Sequence, residues 1–239
     1  MGHTQRVKVG RKFSEEVRVT SGVPQESVLG PLLFLAYVND IWRNTESTIR
    51  LFADDCIIYK KIINNKNIEK LQKDLDRLGE WAAENAMKIN PSKCKAVCFM
   101  RTQVKGPQNY MLGAQLILEA SSCKYLGIIL CSDLSWSDHV NCMVKKAWKA
   151  LHFIMCILKK GNSSTNSLAY MTLVRPILEY GAACWDLYRE GQIRALDRVQ
   201  KKAAKFAFRM NESNWETLSQ CRKIPCICAL VKAYSEEQA

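Results

Sequence analysis

No stretch of this chain is apolar for long enough to cross a bilayer. The longest uncharged apolar run, "VLGPLLFLAYV" at 28–38, falls well short of the roughly 20 residues such a span requires. The first 25 residues, "MGHTQRVKVGRKFSEEVRVTSGVPQ", hold no apolar core of the kind a secretory leader carries. Low-complexity tracts and internal repeats are also missing, which excludes solenoids and arrays. Cysteine is plentiful at 11 residues, yet the paired CxxC spacing of a closed zinc site is lacking. His139 and Cys142 form only a lone HxxC, and Cys221, Cys226 and Cys228 cluster without a second pair. The cysteines lie within apolar segments such as "KAVCFM" and "LHFIMCILKK", which reads as reduced, buried thiols rather than a disulfide framework. A soluble intracellular protein without zinc or a membrane partner is expected, nucleus and cytoplasm being undistinguished. Finally, aspartate is absent until Asp40.

What the chain does contain is apolar residues and positive charge. At 239 residues and 48% hydrophobic, it can build one large domain or two small ones with a real core. The net charge is +12, and residues 140–209 carry 13 Lys or Arg against 4 Asp or Glu. A basic segment of this kind suits a polyanion partner, because Lys and Arg neutralise phosphates and release counterions. A solvated helical surface is the other reading.

One stretch breaks this plain picture. In "IRLFADDCIIYKK", at 49–61, Asp54 and Asp55 stand side by side between two β-like runs. Adjacent carboxylates repel, and favoured hairpin turns prefer Asn-Gly or Asp-Gly. Either the pair is a solvated turn or helix cap, or a divalent cation compensates the repulsion, since Mg²⁺ takes one or two carboxylates plus phosphate oxygens.

Periodicity organises the rest. Val7, Val9, Val17 and Val19 alternate along 5–20 as two strands around the polar turn "GRKFSEE". After the loop "TSGVPQES", dense apolar residues from Ser27 to Asn44 predict a buried helix, with Ser27 capping its first turn. The aspartate hairpin follows. Ile68, Leu71, Leu75, Leu78 and Ala82 recur at helical spacing within 65–88, a helix that Pro91 cannot continue. Short strands are expected at "KAVCFM", "AQLILE" and "KYLGIIL". Helices are then expected over 137–160, 165–186 and 190–210, with a weaker one near 214–235. The fold class is therefore α+β through residue 132, followed by an all-helical segment over 133–239.

The ordered set "GVPQESVLGPLLFLAYVNDI", "FADD", "MKINPSKC", "KYLGIIL" and "LVRPILEYGAACWD" resembles the reverse transcriptases of non-LTR, LINE-type (jockey-like) retrotransposons, over about residues 5–210. The resemblance implies a partial right-hand polymerase palm over 1–132, with a helical thumb and C-terminal segment over 133–239. It implies an RNA-directed DNA polymerase with an RNA template, a DNA primer and dNTPs as partners. It assigns Asp54 and Asp55 to Mg²⁺ (or Mn²⁺), with Phe52 and Ala53 packed beneath them. It sets Gly22, Pro24 and Gln25 along the template and incoming nucleotide, Gln25 in contact and Gly22 allowing close backbone approach. As plain sequence, that loop is a strand-to-helix turn.

Lys93, or Lys95, corresponds to a lysine near the pyrophosphate that serves as general acid, a surface lysine being the other reading. Tyr125, Leu126 and Gly127 correspond to the primer grip, in a segment that otherwise reads as a buried strand. Lys145, Lys146, Lys149, Lys201, Lys202 and Lys205 correspond to nucleic-acid backbone contacts. Tyr180 and Trp185 read as core aromatics.

Two departures from the family pattern stand out. Glu26 occupies a position where the family has glycine, which puts a side chain and a negative charge beside the nucleotide path. The family's third metal carboxylate precedes the "GVPQ" loop, whereas the acidic residues before Asp40 here are Glu15, Glu16 and Glu26. Asp40 itself matches a helix-end residue of the family. The chain thus reads as the second part of a reverse transcriptase, without fingers or first aspartate and inactive by itself. The alternative is a catalytically inactive remnant that binds RNA or RNA–DNA hybrid.

Overall fold

The computed structural model describes residues 3–20, 22–23, 26–99, 109–185, 189–208 and 218–236. They fall into two compact units, one comprising Met1–Cys94 and Asn109–Ile117, the other Lys95–Gln108 and Leu118–Ala239.

The first unit opens with a β-ribbon. Strand β1 (His3–Gln5) pairs antiparallel with β4 (Val17–Val19), and β2 (Lys8–Val9) pairs with β3 (Lys12–Phe13). The chain reverses at Gly10, whose φ of 62° suits glycine. Helix α1 (Leu29–Val38) follows, and the Ser27 hydroxyl accepts from the Gly30 amide at 3.1 Å, as its capping role requires. The expectation of burial is not met. Val38 is the single buried residue of α1, while Leu29, Leu32, Leu33, Leu35 and Tyr37 are exposed. An all-round apolar sequence buries a helix only where complementary surface exists to cover it, and the described residues of this unit do not supply that surface.

Strands β5 (Thr48–Phe52) and β6 (Asp55–Tyr59) form the aspartate hairpin. Helix α2 (Asn65–Glu84) buries Leu75, Leu78 and Ala82, and the Asn64 side chain caps it by accepting from the Asn67 amide at 3.1 Å. The hairpin is tied to α2 by Asp74, which is 1% exposed. Its carboxylate accepts from the Ser47 amide at 2.8 Å, the Ser47 hydroxyl at 2.5 Å and the Glu46 amide at 3.1 Å. Burial alone would push this carboxyl up, but the bonds from Ser47 and Glu46 outweigh it and hold the group below its ordinary value. A short 3-10 turn, Pro91–Lys93, and the pair β7 (Tyr110–Leu112) with β8 (Gln115–Ile117) complete the unit.

The second unit begins with β9 (Ser122–Tyr125) and β10 (Ile128–Cys131). Among the described residues five helices follow: α3 (Ser137–Ile157), α4 (Ser163–Leu173), α5 (Arg175–Glu179), α6 (Glu190–Phe208) and α7 (Leu218–Glu236). The helix expected over 165–186 is divided in two at Val174, because Pro176 has no amide to donate and sits in the first turn of α5. Val140, Leu151, Tyr170, Val174, Leu178, Trp185, Leu196 and Val199 are at most 2% exposed and form one core. Helix α7 is joined to this core by Arg222, which stacks 3.8 Å from the Trp185 ring centroid and donates to the Trp185 carbonyl at 3.1 Å.

Among the described residues the strands pair two by two, in five separate antiparallel sheets. The architecture is mixed α and β, with small antiparallel pairs in place of one broad sheet. The segment "KAVCFM" contributes only an isolated bridge, Ala96 to Glu119, and its Met100 lies outside the described residues. No described helix is long and apolar enough to cross a membrane.

Candidate functional site

The β5–β6 register pairs Phe52 with Asp55, which leaves Ala53 and Asp54 as a two-residue turn. The first turn residue, Ala53, has φ of 50°. Glycine is the usual occupant of such a position, so alanine here costs about 1–2 kcal/mol. The turn thus places one carboxylate on its second residue and the next on the first residue of β6, with no residue between them to relax the spacing. Both aspartates are exposed, and among the described residues neither has an ion-pair partner. Their mutual repulsion is therefore left to solvent, or to an ion from outside the chain. Two hard oxygen ligands at an open tip fit Mg²⁺ or Mn²⁺, which complete their shells with water and phosphate oxygens. Among the described residues, no group of three or more His, Cys, Asp or Glu is assembled for a metal ion, so no third donor joins the pair.

Phe52 does not pack beneath the aspartates as expected. It is 60% exposed and shares the outward face with Asp55. The other face, with Ile49, Leu51 and Ile58, is the half-buried one. This follows from strand alternation: a residue paired directly with an exposed Asp55 must project to the same side. Although part of Cys56 is open to solvent, burial of its thiol and, secondarily, the neighbouring Cys94 push that thiol up to about 11. Cys94 directly follows the turn that carries Lys93. Lys93 is exposed at the end of that turn, where the Asn90 side chain accepts from the Ser92 amide at 3.1 Å.

Asp40 is engaged elsewhere. The Trp81 indole donates to it at 2.9 Å, and Arg43 stands 3.9 Å away, consistent with a helix-end role. In the "GVPQ" loop, Pro24 and Gln25 lie outside the described residues. Gly22 has φ of 89° and a Cβ added there would meet nothing within 4 Å, so its backbone conformation accounts for glycine. Glu26 has φ of 60°, the left-handed region in which the family's glycine would be at ease.

In the second unit, Leu126 and Gly127 form the β9–β10 turn with φ of 44° and 82°. Positive φ at both residues is the type I′ geometry of tight hairpins. The Tyr180 hydroxyl donates to the Leu126 carbonyl at 2.7 Å, and a Cβ at Gly127 would come within 2.9 Å of the Tyr180 ring. Glycine is thus required by the close approach as well as by φ. Tyr180 is 50% exposed and serves as this tether, whereas Trp185 is the buried aromatic expected.

All six lysines singled out from the sequence are exposed. Lys145, Lys146 and Lys149 lie on α3, and Lys201, Lys202 and Lys205 lie on α6 opposite buried Leu196, Val199 and Ala203. Sequence reading missed Arg194 and Arg198, which with Lys201 and Lys205 recur at four-, three- and four-residue spacing and extend the same exposed face. Their helical period was the available signal. His139 was singled out only as half of an HxxC. It is fully buried, edge-on to Trp185 at 4.8 Å, and accepts from the Ile129 amide at 3.3 Å. Burial, then Lys146 and Arg222, depress its pKa and keep it neutral.

A hairpin tip with adjacent unpaired aspartates, a tight glycine turn and basic helices agree with a template-directed polymerase. Residues 5–130 match the family model for reverse transcriptase (RNA-dependent DNA polymerase), and the chain belongs to that family. Within it, the chain is of the LINE-type, non-LTR branch. It is 30% identical over 213 residues to the probable RNA-directed DNA polymerase from transposon X-element of Drosophila melanogaster, covering 85% of this chain and 23% of that protein. It is 25% identical over 210 residues to the probable RNA-directed DNA polymerase from transposon BS of the same species, covering 82% and 23%. To the RNA-directed DNA polymerase from mobile element jockey, also of Drosophila melanogaster, it is 27% identical over 200 residues, covering 77% and 21%. The chain therefore spans less than a quarter of the length of these relatives. No solved structure matches it.

Proposed function

We propose that this chain carries the metal-binding hairpin and primer-side elements of an RNA-directed DNA polymerase that copies element RNA into DNA. In this reading residues 1–132 are part of a polymerase palm and 133–239 a thumb with the segment beyond it. The observation that carries the proposal is the tip of the β5–β6 hairpin, where the adjacent Asp54 and Asp55 are both exposed and have no ion-pair partner among the described residues. Asp54 and Asp55 would hold Mg²⁺ or Mn²⁺. The chemistry such ions supply is a lowered pKa at the primer 3′-hydroxyl and neutralisation of charge on the transferred phosphate and departing pyrophosphate.

The chain's own residues do the positioning. The two-residue turn fixes the carboxylates on a rigid element. Lys93, exposed at the end of its turn, would meet the pyrophosphate side, as the family pattern assigns. The Tyr125–Gly127 turn, held by Tyr180, supports the primer end, and the basic faces of α3 and α6 neutralise backbone phosphates of the template–primer duplex. The family pattern assigns Gly22 to the template and nucleotide path, together with Pro24 and Gln25, which lie outside the described residues.

Metal binding is the sharper test, since no third donor joins the pair among the described residues and extension by this chain alone is expected to be weak or absent. Addition of Mn²⁺ should broaden NMR signals of residues 52–57, and the Asp54→Asn, Asp55→Asn double variant should abolish that broadening. Equal broadening in parent and variant would remove the hairpin as the metal site. Primer extension on an oligo-primed RNA template, run in parallel, asks whether a third carboxylate is supplied. Extension lost in the double variant means that it is. No extension by either protein, with salt-sensitive hybrid binding retained, describes a nucleic-acid-binding module.

A further inference from the structure

From the geometry of residues 3–19, we infer that the N-terminal β-ribbon is a binding arm for single-stranded nucleic acid, a role that rests on the polymerase reading above and extends it to residues not assigned there. The β1–β4 and β2–β3 pairs are joined into one ribbon: the Ser14 amide donates to the Val7 carbonyl at 2.9 Å, and the Val7 amide donates to the Ser14 hydroxyl at 2.9 Å. Every residue of the four strands is exposed. A two-stranded ribbon standing alone in water is marginal, so its sequence should show what each face meets.

The two faces differ in chemistry. Paired residues share a face, so Val17 and Val19 lie on one side with His3 and Gln5. The register shifts by one residue between the two pairs, and along the unbulged strand 3–9 alternation carries that side on to Val7 and Val9, with Lys12 across from Val9. Thr4, Arg18, Lys8 and Phe13 lie on the other, with Arg6 and Glu16 joined there as an ion pair. Among the described residues, Lys8 and Arg18 have no carboxylate partner. Lys8 lies over the ring of Phe13 at 5.4 Å, and that ring is 61% exposed. Thr4, across from Arg18, and Lys8 are four residues apart, so the two cations lie about 13 Å apart along the ribbon. Cations without a carboxylate partner beside a largely exposed aromatic ring form the combination that grips a single strand, the ring going under a base as Lys8 leaves the ring face for a phosphate. A single strand is favoured over an A-form duplex because the ring needs an unpaired base and the deep groove of such a duplex does not admit side chains.

The test is fluorescence anisotropy with a labelled 15-nucleotide oligouridine and its DNA counterpart, titrated with the full chain between 50 and 200 mM salt. Lys8→Gln with Arg18→Gln should lower the slope of log K against log salt by about 1.4, two phosphates at about 0.7 each. Phe13→Ser should weaken binding about tenfold with the slope unchanged, as loss of one stacked base predicts. Lys12→Gln, which pairs with Val9 on the apolar face, should change the slope little. All these positions are exposed, and unchanged circular dichroism melts would confirm folding.

If the Lys8/Arg18 variant binds with the parent's slope, or if Lys12→Gln matches a Lys8→Gln single variant, the ribbon inference is overturned. The polymerase reading survives that result provided that the parent binds and the Lys201→Gln, Lys205→Gln variant of α6 is weakened. Failure of the parent to bind any strand overturns both. A parent that binds RNA and DNA alike supports a strand reader, whereas preference for one names the strand.

Discussion

The two units of this protein treat their apolar residues in opposite ways. In the second, helices α3, α4, α5 and α6 converge on one core in which Val140, Leu151, Val174, Leu178 and Val199 are at most 2% exposed. In the first, buried apolar residues are few, Val38, Ile41, Leu75, Leu78, Ala82, Leu112 and Ile117, while α1 and the N-terminal ribbon leave theirs open. The stability of the chain therefore resides mainly in the helical unit, and the aspartate hairpin lies in the other. The hairpin is held here by a few specific bonds, whereas the helical unit is held by volume.

This contrast can be tested by removing one member of each kind. Trp185→Ala should have the largest effect, costing about 3–5 kcal/mol of the helical unit's stability, because it empties the core and strips the stacked Arg222 of its partner. Two transitions in a thermal melt, with the upper one displaced, would support separate units, whereas a single transition that falls as a whole would merge them. Asp74→Ala should cost about 2–4 kcal/mol in the first unit, since the Ser47 amide and hydroxyl and the Glu46 amide lose their acceptor.

The Asp74 bonds also set a pH dependence. The folded-state pKa lies below the ordinary value, so on acidification the unfolded chain takes up its proton first. The stabilisation is complete above about pH 4, the ordinary carboxylate value, and disappears as the pH falls through the lower folded value. Acid titration of parent and Asp74→Ala should converge, and parallel curves would show that Asp74 is not the cause.

The smallest effects concern backbone strain. Glu26→Gly and Ala53→Gly each relieve a left-handed residue, which is worth about 1 kcal/mol. At Ala53 the gain should come with a looser hairpin tip and weaker Mn²⁺ broadening at Asp54. At Glu26 the variant also loses a negative charge, so nucleotide binding should rise. Denaturant melts read the first effect and metal or nucleotide titration the second. A destabilised Ala53→Gly would mean that the turn is not strained.

Much of this was legible in the sequence where period and punctuation agree. Helix α2 followed from Ile68, Leu71, Leu75, Leu78 and Ala82 at helical spacing, and the aspartate hairpin followed from the strand-like run on each side of Asp54-Asp55. The exposure of α1 was not legible, because apolar density reports a need for cover and says nothing of whether cover is at hand. Nor was the inward turn of Asp74, since a single aspartate on an amphipathic helix ordinarily faces water. Tyr180 read as core because aromatic residues in an apolar run usually are, yet its hydroxyl sought the Leu126 carbonyl and kept half the ring outside. The basic face of α6 was half legible. Its lysines stood out by composition, while Arg194 and Arg198 needed the helix to line them up.

The phenol of Tyr180 is a strut as well as a tether. One hydrogen bond to Leu126 and one ring against Gly127 set the angle at which the β9–β10 turn leaves the helical core, and the Trp185 indole donates back to the Tyr180 carbonyl at 3.0 Å. A load on the hairpin is thereby passed along five residues of backbone to a buried tryptophan, and through its ring to Arg222 on the last helix. Any displacement of that turn would therefore reach the packing of α7.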